Sequence, residues 1–448
     1  MLNLDRDILF QIFEKLQDDR NSLHNSLLVN VSWCEIIVPI LWKNPWKCFS
    51  THGKISRRNL QTHLLNDEKK KKLLLDVIIS HLSDETSDTF GLTTKYKKPL
   101  FNYIGFCKHL NLGDLEGIIN IMECKKLGVY DKIINLFINE NTRITHLYIP
   151  HKFKHKLHLI PGAESCLLRL EYLQCSTLTE DDVLVGLAEI SESIEELNLN
   201  IYGLQDNYYN VNNNGIIKLI QCQKKLNNVR FYYAGTNYPY MEINSNSFYK
   251  DLENSLIKHA SNIQYFSTNK KPYPNFLSYF KNLKYLEMSD DYTLNTVHNQ
   301  MIIKAIYENC PNVEYLEIPF NNNCILEFEN LLVKCQYLDS LYLTIEEEDC
   351  ENLFETLGKH SPEGLFKFKF KLRTNLIRGI RRISLISFKS FFHYWKGKHP
   401  MLLQTIGMSL NKSVDYSDLI DTYKLMGVIK KYDDVEIEPF ITEYSSFL

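Results

Sequence analysis

The sequence carries no surplus of positive charge. Its 51 Lys and Arg stand against 54 Asp and Glu, a formal net charge of −3, which removes the electrostatic footprint of a nucleic-acid binder. No run approaches the roughly eighteen uninterrupted apolar residues of a membrane span. The start, Met1-Leu2-Asn3-Leu4-Asp5-Arg6-Asp7, puts charges where a signal peptide needs an apolar stretch. None of the 11 cysteines stands in C-x-x-C spacing, and most sit inside apolar runs. Buried, reduced thiols in the cytoplasm or nucleus are the expectation. There is no P-loop, no G-x-S-x-G, no H-E-x-x-H and no glycine-rich dinucleotide fingerprint. A binding protein without a cofactor, rather than an enzyme, is therefore expected.

What is present is apolar and aromatic. Of 448 residues, 44% are hydrophobic and 23% charged, with 27 Tyr and 24 Phe. That is enough for a large interior, but the length exceeds what one core organises, so several domains or a repeat array are expected.

The first fifty residues predict three short helices. In LDRDILFQIFEKL, residues 4–16, Ile8, Ile12, Phe13 and Leu16 recur at helical spacing, with Asp5 as N-cap and Leu4 and Leu9 at staple positions. A second segment, Leu23–Trp33, presents Leu23, Leu27, Leu28 and Val29. A third, Trp33–Trp42, contains Pro39, which should bend or end it. So small a trio hides little surface, and Leu9, Phe10, Ile12 and Phe13 give the first helix apolar residues on more than one side. Part of that surface needs a neighbouring domain or a separate partner.

From about residue 140 a phrase returns that is apolar at its first, fourth and sixth positions. Copies include Ile144/Leu147/Ile149, Leu170/Leu173/Cys175, Ile194/Leu197/Leu199, Leu226/Val229/Phe231, Leu283/Leu286/Met288, Val313/Leu316/Ile318 and Leu338/Leu341/Leu343. Weaker ones are Ile263/Phe266, Leu365/Phe368/Phe370 and Leu403/Ile406/Met408. The alternation says strand, and helical stretches fill the intervals, Thr179 opening one of them; Phe101–Leu112 reads as an early strand of the same sheet and Tyr416–Lys431 as a last helix. Strand followed by helix at this period predicts an α/β solenoid.

The residues resemble two known patterns. Leu4, Asp7, Ile8, Leu9, Ile12, Phe13 and Leu16 are similar to the first helix of an F-box, and Leu28, Val29, Asn30 and Trp33 to its later L-V-C-x-x-W portion. Two positions depart: Asp5 stands where the family has proline, and Asn30 where it has cysteine. The phrase repeated over residues 140–410 is the leucine-rich-repeat signature, and Asn309-Cys-Pro-Asn-Val-Glu-Tyr-Leu316 resembles repeats found behind F-boxes in fungal proteins.

The resemblance implies a small all-α F-box (1–48), a helical linker and N-terminal cap (49–140), an α/β leucine-rich-repeat horseshoe (141–410) and a C-terminal cap (411–448). It also implies docking to a Skp-type adaptor, and through it a cullin scaffold, by Leu4, Ile8, Leu9, Ile12, Phe13, Leu16, Leu28, Val29 and Trp33. Phe13 and Trp33 are expected to dominate, each costing roughly 2 kcal/mol on truncation. The alternative is a repeat scaffold or inhibitor with no ligase link, the helices acting only as a cap.

On the concave side of such a solenoid, Tyr172, Tyr265, Tyr285 and Tyr315 would form one row, with Glu287 and Glu317 beside it. Tyrosines beside carboxylates suit a protein target carrying Arg or Lys, although exposed strand positions favour tyrosine in any case. The acidic run Glu346–Asp349 reads as a loop and helix start, and Lys69–Lys72 as a helix face rather than an import signal. His151, His155 and His158 lie between Pro150 and Pro161, with no acidic or cysteine ligand at matching spacing, so no metal is assigned.

Overall fold

The computed structural model describes residues 5–49, 60–86, 98–122, 128–202, 214–234, 247–270, 272–289, 296–373, 383–408, 410 and 413–435. The chain divides into two compact units: residues 1–196 with 211–225, and residues 197–210 with 226–448.

The first unit opens with helices α1 (Arg6–Lys15), α2 (Arg20–Ser26) and α3 (Val31–Trp42). Each start is capped by a side-chain oxygen. Asp5 accepts from the Asp7 N–H at 3.4 Å, Asp19 from Ser22 at 3.1 Å and Asn30 from Trp33 at 2.9 Å. Both departures from the F-box phrase are thus helix caps, a role worth about 1 kcal/mol apiece. The Asn30 cap also explains why the segment Leu23–Trp33 does not stay one helix: the chain turns at 27–30 and starts again. Pro39 does not end α3, which runs on to Trp42 and forgoes only the bond that a residue-39 N–H would give the Glu35 carbonyl.

Behind the trio, strands β1 (His109–Asn111), β2 (His146–Tyr148) and β3 (Tyr172–Ser176) form a parallel ladder. A recurring bond spaces it. The carbonyl just before each strand accepts the two N–H groups that open the next: Lys108 from Thr145 and His146 (2.9 and 3.0 Å), Thr145 from Glu171 and Tyr172 (2.8 and 3.0 Å). Lys43, one residue past α3, does the same for Lys108 and His109 (2.9 and 3.1 Å). The Trp46 indole N–H donates to the His109 carbonyl at 2.6 Å, and its ring packs on Phe137. The tail of the trio therefore closes the first edge of the ladder, a task expected of residues 49–140.

Strand β4 (Glu196–Tyr202) begins in the first unit and ends in the second. The second unit holds β5 (Asn228–Ala234), β6 (Tyr265–Thr268), β7 (Tyr285–Met288), β8 (Tyr315–Pro319), β9 (Ser340–Ile345), β10 (Lys367–Leu372), β11 (Met401–Ile406) and β12 (Ile429–Val435). Each pairs in parallel with the next in chain order. Leu283, Leu286 and Met288 are buried together, as are Val313, Leu316 and Ile318. Helices Cys350–His360 and Leu385–Tyr394 cover this apolar side: the Phe354 ring lies 5.3 Å from Phe370, and Phe391 lies 5.4 Å from Phe368. Each unit is an α/β arrangement whose parallel strands resemble a leucine-rich-repeat solenoid.

Two expectations at the far end change. Leu403, not Ile406, is aligned with Phe368, so Leu403 takes the fourth phrase position and buried Thr405 the sixth, leaving Ile406 half-exposed. The helix expected over Tyr416–Lys431 spans Val414–Leu425. Gly427 then takes a positive φ of 72°, and the N–H groups of Gly427 and Val428 bond back to Lys424 and Tyr423. That is a glycine C-terminal stop, and β12 follows.

Candidate protein-binding surfaces

The trio sorts its apolar residues into two sets. Leu9, Phe13, Leu23, Ile36 and Ile37 form its interior, with Leu16, Leu27, Trp33, Ile40 and Leu41 packed against them. Phe13 is only 3% exposed and meets Trp33 edge-on at 5.0 Å. Outside lie Ile8 (47%), Phe10, Ile12, Leu28 (86%), Val29 and Val31. The docking set read from the sequence is therefore divided. Ile8, Ile12, Leu28 and Val29 face outward, Leu16 and Trp33 are half-buried, and Leu9 and Phe13 belong to the interior. Leu4 lies outside the described residues. The correction has a simple cause: a three-helix unit needs large side chains at its centre, and residues 9 and 13, one turn apart, point there together. Phe10 and Val31 are outward residues that the motif did not single out.

On the strand face of the first unit, His109, His146 and Tyr172 are in register. Their rings stack, with centroids 3.9 Å apart between the histidines and 5.5 Å between His146 and Tyr172. Burial, then the adjacent His146, pushes the His109 imidazole down to about 3. Its Nδ1 is buried and has no hydrogen-bond partner among the described residues. Tyr172 was expected in one row with Tyr265, Tyr285 and Tyr315; within the first unit it stands in register with these histidines.

In the second unit Tyr265, Tyr285 and Tyr315 do share a row, in register on β6, β7 and β8, and Glu287 is aligned with Glu317. The Tyr265 hydroxyl donates to Glu287, and that of Tyr315 to Glu317 at 3.3 Å. The Arg230 guanidinium lies over the Tyr265 ring at 4.7 Å. Burial, followed by the charge of Glu287, raises the Glu317 carboxyl to about 7, so it is not a full anion at neutral pH. Lys369 and Lys371 act the other way from β10, a strand reading KFKFKL whose phenylalanines point inward. Sequence reading passed over these lysines, though their strict alternation with Phe was the available signal.

The remaining candidates are absorbed by packing. His155 stacks on Tyr130 and faces Asp131 at 3.5 Å, while the His158 ring lies against Gly186. Among the described residues no group of three His, Cys, Asp or Glu side chains is placed to hold a metal ion. Lys70 pairs with Asp67 at 3.4 Å on helix α4 (Leu60–Ile79). The Glu346–Asp349 run leads into the helix Cys350–His360, and Asp349 accepts the Asn322 N–H at 2.9 Å. The ten described cysteines form no disulfide, and burial lifts the Cys107, Cys175 and Cys310 thiols to about 12, far from a nucleophile's range. Among the described residues no helix is long and apolar enough to cross a membrane.

No protein-family model and no curated protein matches the chain. Among solved structures it is similar to the crystal structure of the leucine-rich repeat-containing protein LegL7 from Legionella pneumophila, at 15% identity and a TM-score of 0.34, over 68% of this chain and 88% of that one. A likeness of that size carries no argument. The ladder and its buried phrase positions stand on their own.

Proposed function

We propose that this protein is the substrate-recognition subunit of an SCF-type ubiquitin ligase. Its helical trio would dock a Skp-type adaptor, and through it a cullin scaffold, while the repeat face holds a protein target. The chain would act by binding alone, raising the target's effective concentration near a charged ubiquitin carrier. One observation carries the reading. The trio fills its own interior and still exposes Ile8, Phe10, Ile12, Leu28, Val29 and Val31. Apolar side chains left outside a finished core are the raw material of an interface.

The test uses surface residues. Ile8→Asp with Leu28→Asp should abolish co-elution of the intact chain with a purified Skp-type adaptor at micromolar concentration, leaving the melting transition in place. Phe13→Ala would not discriminate, since emptying a buried aromatic position costs about 3–5 kcal/mol and would unfold the trio. No co-elution of the unaltered chain, or co-elution indifferent to the aspartates, would remove the ligase assignment.

A second reading, a repeat scaffold or inhibitor without a ligase link, is favoured by the Lys43 and Trp46 contacts, which make the trio's tail an end-cap. It predicts that the aspartate pair changes nothing in any complex the chain forms.

A further inference from the structure

On the strand face of the second unit, half-exposed at β7, β8 and β10 and buried at β9 between them, opposite charges stand near one another without closing. Along one aligned row the residues run Glu287 on β7, Glu317 on β8, Tyr342 on β9 and Lys369 on β10. Lys371 lies two residues further along β10, aligned with Thr344. Adjacent strands are about 4.8 Å apart, so about 10 Å of backbone separates Glu317 from Lys369.

Three of these four charges are held by an aromatic neighbour rather than by an opposite charge. Tyr265 and Tyr315 donate to the two carboxylates, and the Lys369 ammonium sits over the Tyr342 ring at 4.4 Å. Among the described residues, none of Glu287, Glu317, Lys369 and Lys371 closes an ion pair, although their neighbours do. Lys284 pairs with Glu314 at 2.9 Å, Lys367 with Asp339 at 3.1 Å and Arg373 with Glu346 at 3.5 Å. Half-buried charges kept apart in this way have given up part of their hydration, which complementary charges on a partner restore.

We propose that this row seats a protein segment with a basic side chain over Glu287 and Glu317 and an acidic side chain over Lys369 and Lys371. In an extended segment, at about 3.3 Å per residue, the two side chains stand about three or four residues apart. The inference rests on the second unit being the target-binding surface and is independent of the adaptor. It goes beyond that reading by fixing the charge pattern of what is bound.

Affinity should also fall as pH drops below neutral. Glu317 faces Glu287 from β7, Tyr315 on its own strand, Tyr342 from β9 and Lys369 and Lys371 from β10, and only in its ionised form does it attract the basic side chain.

The experiment pans a displayed library of random dodecapeptides on the intact chain. Enrichment of peptides with a basic residue about three or four positions from an acidic one is expected. Lys369→Glu with Lys371→Glu should redirect selection to wholly basic peptides, and Glu287→Lys with Glu317→Lys to wholly acidic ones. Because each variant gains a new preference, misfolding cannot imitate the result. A selected peptide should lose at least about tenfold in affinity on Glu287→Gln with Glu317→Gln. A pool without the charge pattern, a pattern unmoved by the swaps, or no enrichment would overturn the proposal. Concentration-dependent dimers that either swap dissolves would overturn it too, assigning the row to a second copy of this chain. Adaptor co-elution measured on the same variants should not change, which keeps failure here separate from failure of the ligase reading.

Discussion

In the first unit the row that opens the strands includes His109, His146 and Tyr172; in the second it includes Tyr265, Tyr285 and Tyr315, between Asn228 and Ser340. The parallel ladder gives both rows the same backbone spacing, yet the rings behave differently. The His109 and His146 rings stack 3.9 Å apart at 26° to one another. The tyrosines stand 6.4 Å apart and tilt by more than 30°, two of them reaching with their hydroxyls to the row of glutamates beside them. The two imidazoles close on each other and lose water. Phenols with carboxylates in reach keep the surface polar and charged. The repeat decides where a side chain stands, and its chemistry decides whether that position is shut or open to a partner.

If the two rows differ only in their outward chemistry, the inward positions beneath them should be equivalent. Leu147 and Leu286 hold the fourth phrase position in each unit, and both are fully buried. Leu147→Ala and Leu286→Ala should each cost about 2–5 kcal/mol in urea denaturation. A loss below about 1 kcal/mol at either site would mean that the ladder there is not the packed layer described, and the comparison would collapse.

That inward equivalence is also the part of the molecule the sequence made readable. A period-two apolar pattern reports burial on one side of a strand directly, so β2 to β10 follow the phrase. The first strand was legible only as a strand somewhere within Phe101–Leu112, and it occupies His109–Asn111; its copy of the phrase, Cys107-Lys-His-Leu110-Asn-Leu112, opens on cysteine, which buries as well as leucine but does not look like it. The last escaped because Gly427, the helix stop, was passed over. Outward chemistry was harder to read. The phrase aligns Tyr265, Tyr285 and Tyr315, and likewise His146 with Tyr172, but it does not say which rings stack and which stay apart. Phe13 and Ile8 look alike as motif positions, and only the way α1 packs on α3 sends one inward and leaves the other in water.

The rows should also respond to pH with opposite sign. The His109 imidazole is held near 3 in the folded chain, against about 6.5 when exposed. Between those values the unfolded chain binds the extra proton, so this group makes stability rise with pH. Glu317, raised to about 7 from an ordinary 4.5, binds its proton in the folded chain first, so it makes stability fall as pH climbs through that window. Urea midpoints taken from pH 4 to 7 should lose part of their upward slope in His109→Phe and gain upward slope in Glu317→Gln. The same sign of change in both variants would show that the rows are not electrostatic opposites.

The smallest effect is the sharpest discriminator. His146 is half-buried between two stacked rings, with the Thr145 hydroxyl 2.9 Å from its Nδ1, so truncation removes stacking on both sides and opens a gap. His146→Ala should cost about 1–2 kcal/mol. Tyr285 is 41% exposed, and the one hydroxyl contact it makes among the described residues, to Glu314, is a long 3.4 Å. Tyr285→Ala should therefore change stability by less than about 0.5 kcal/mol, the usual range for a surface substitution. A row that contributes little to folding and presents aromatic area beside charge is best accounted for by binding, where tyrosine contributes heavily to affinity. Should Tyr285→Ala prove as costly to folding as His146→Ala, the tyrosine row would be structural, and the binding surface would have to be sought on another part of the second unit.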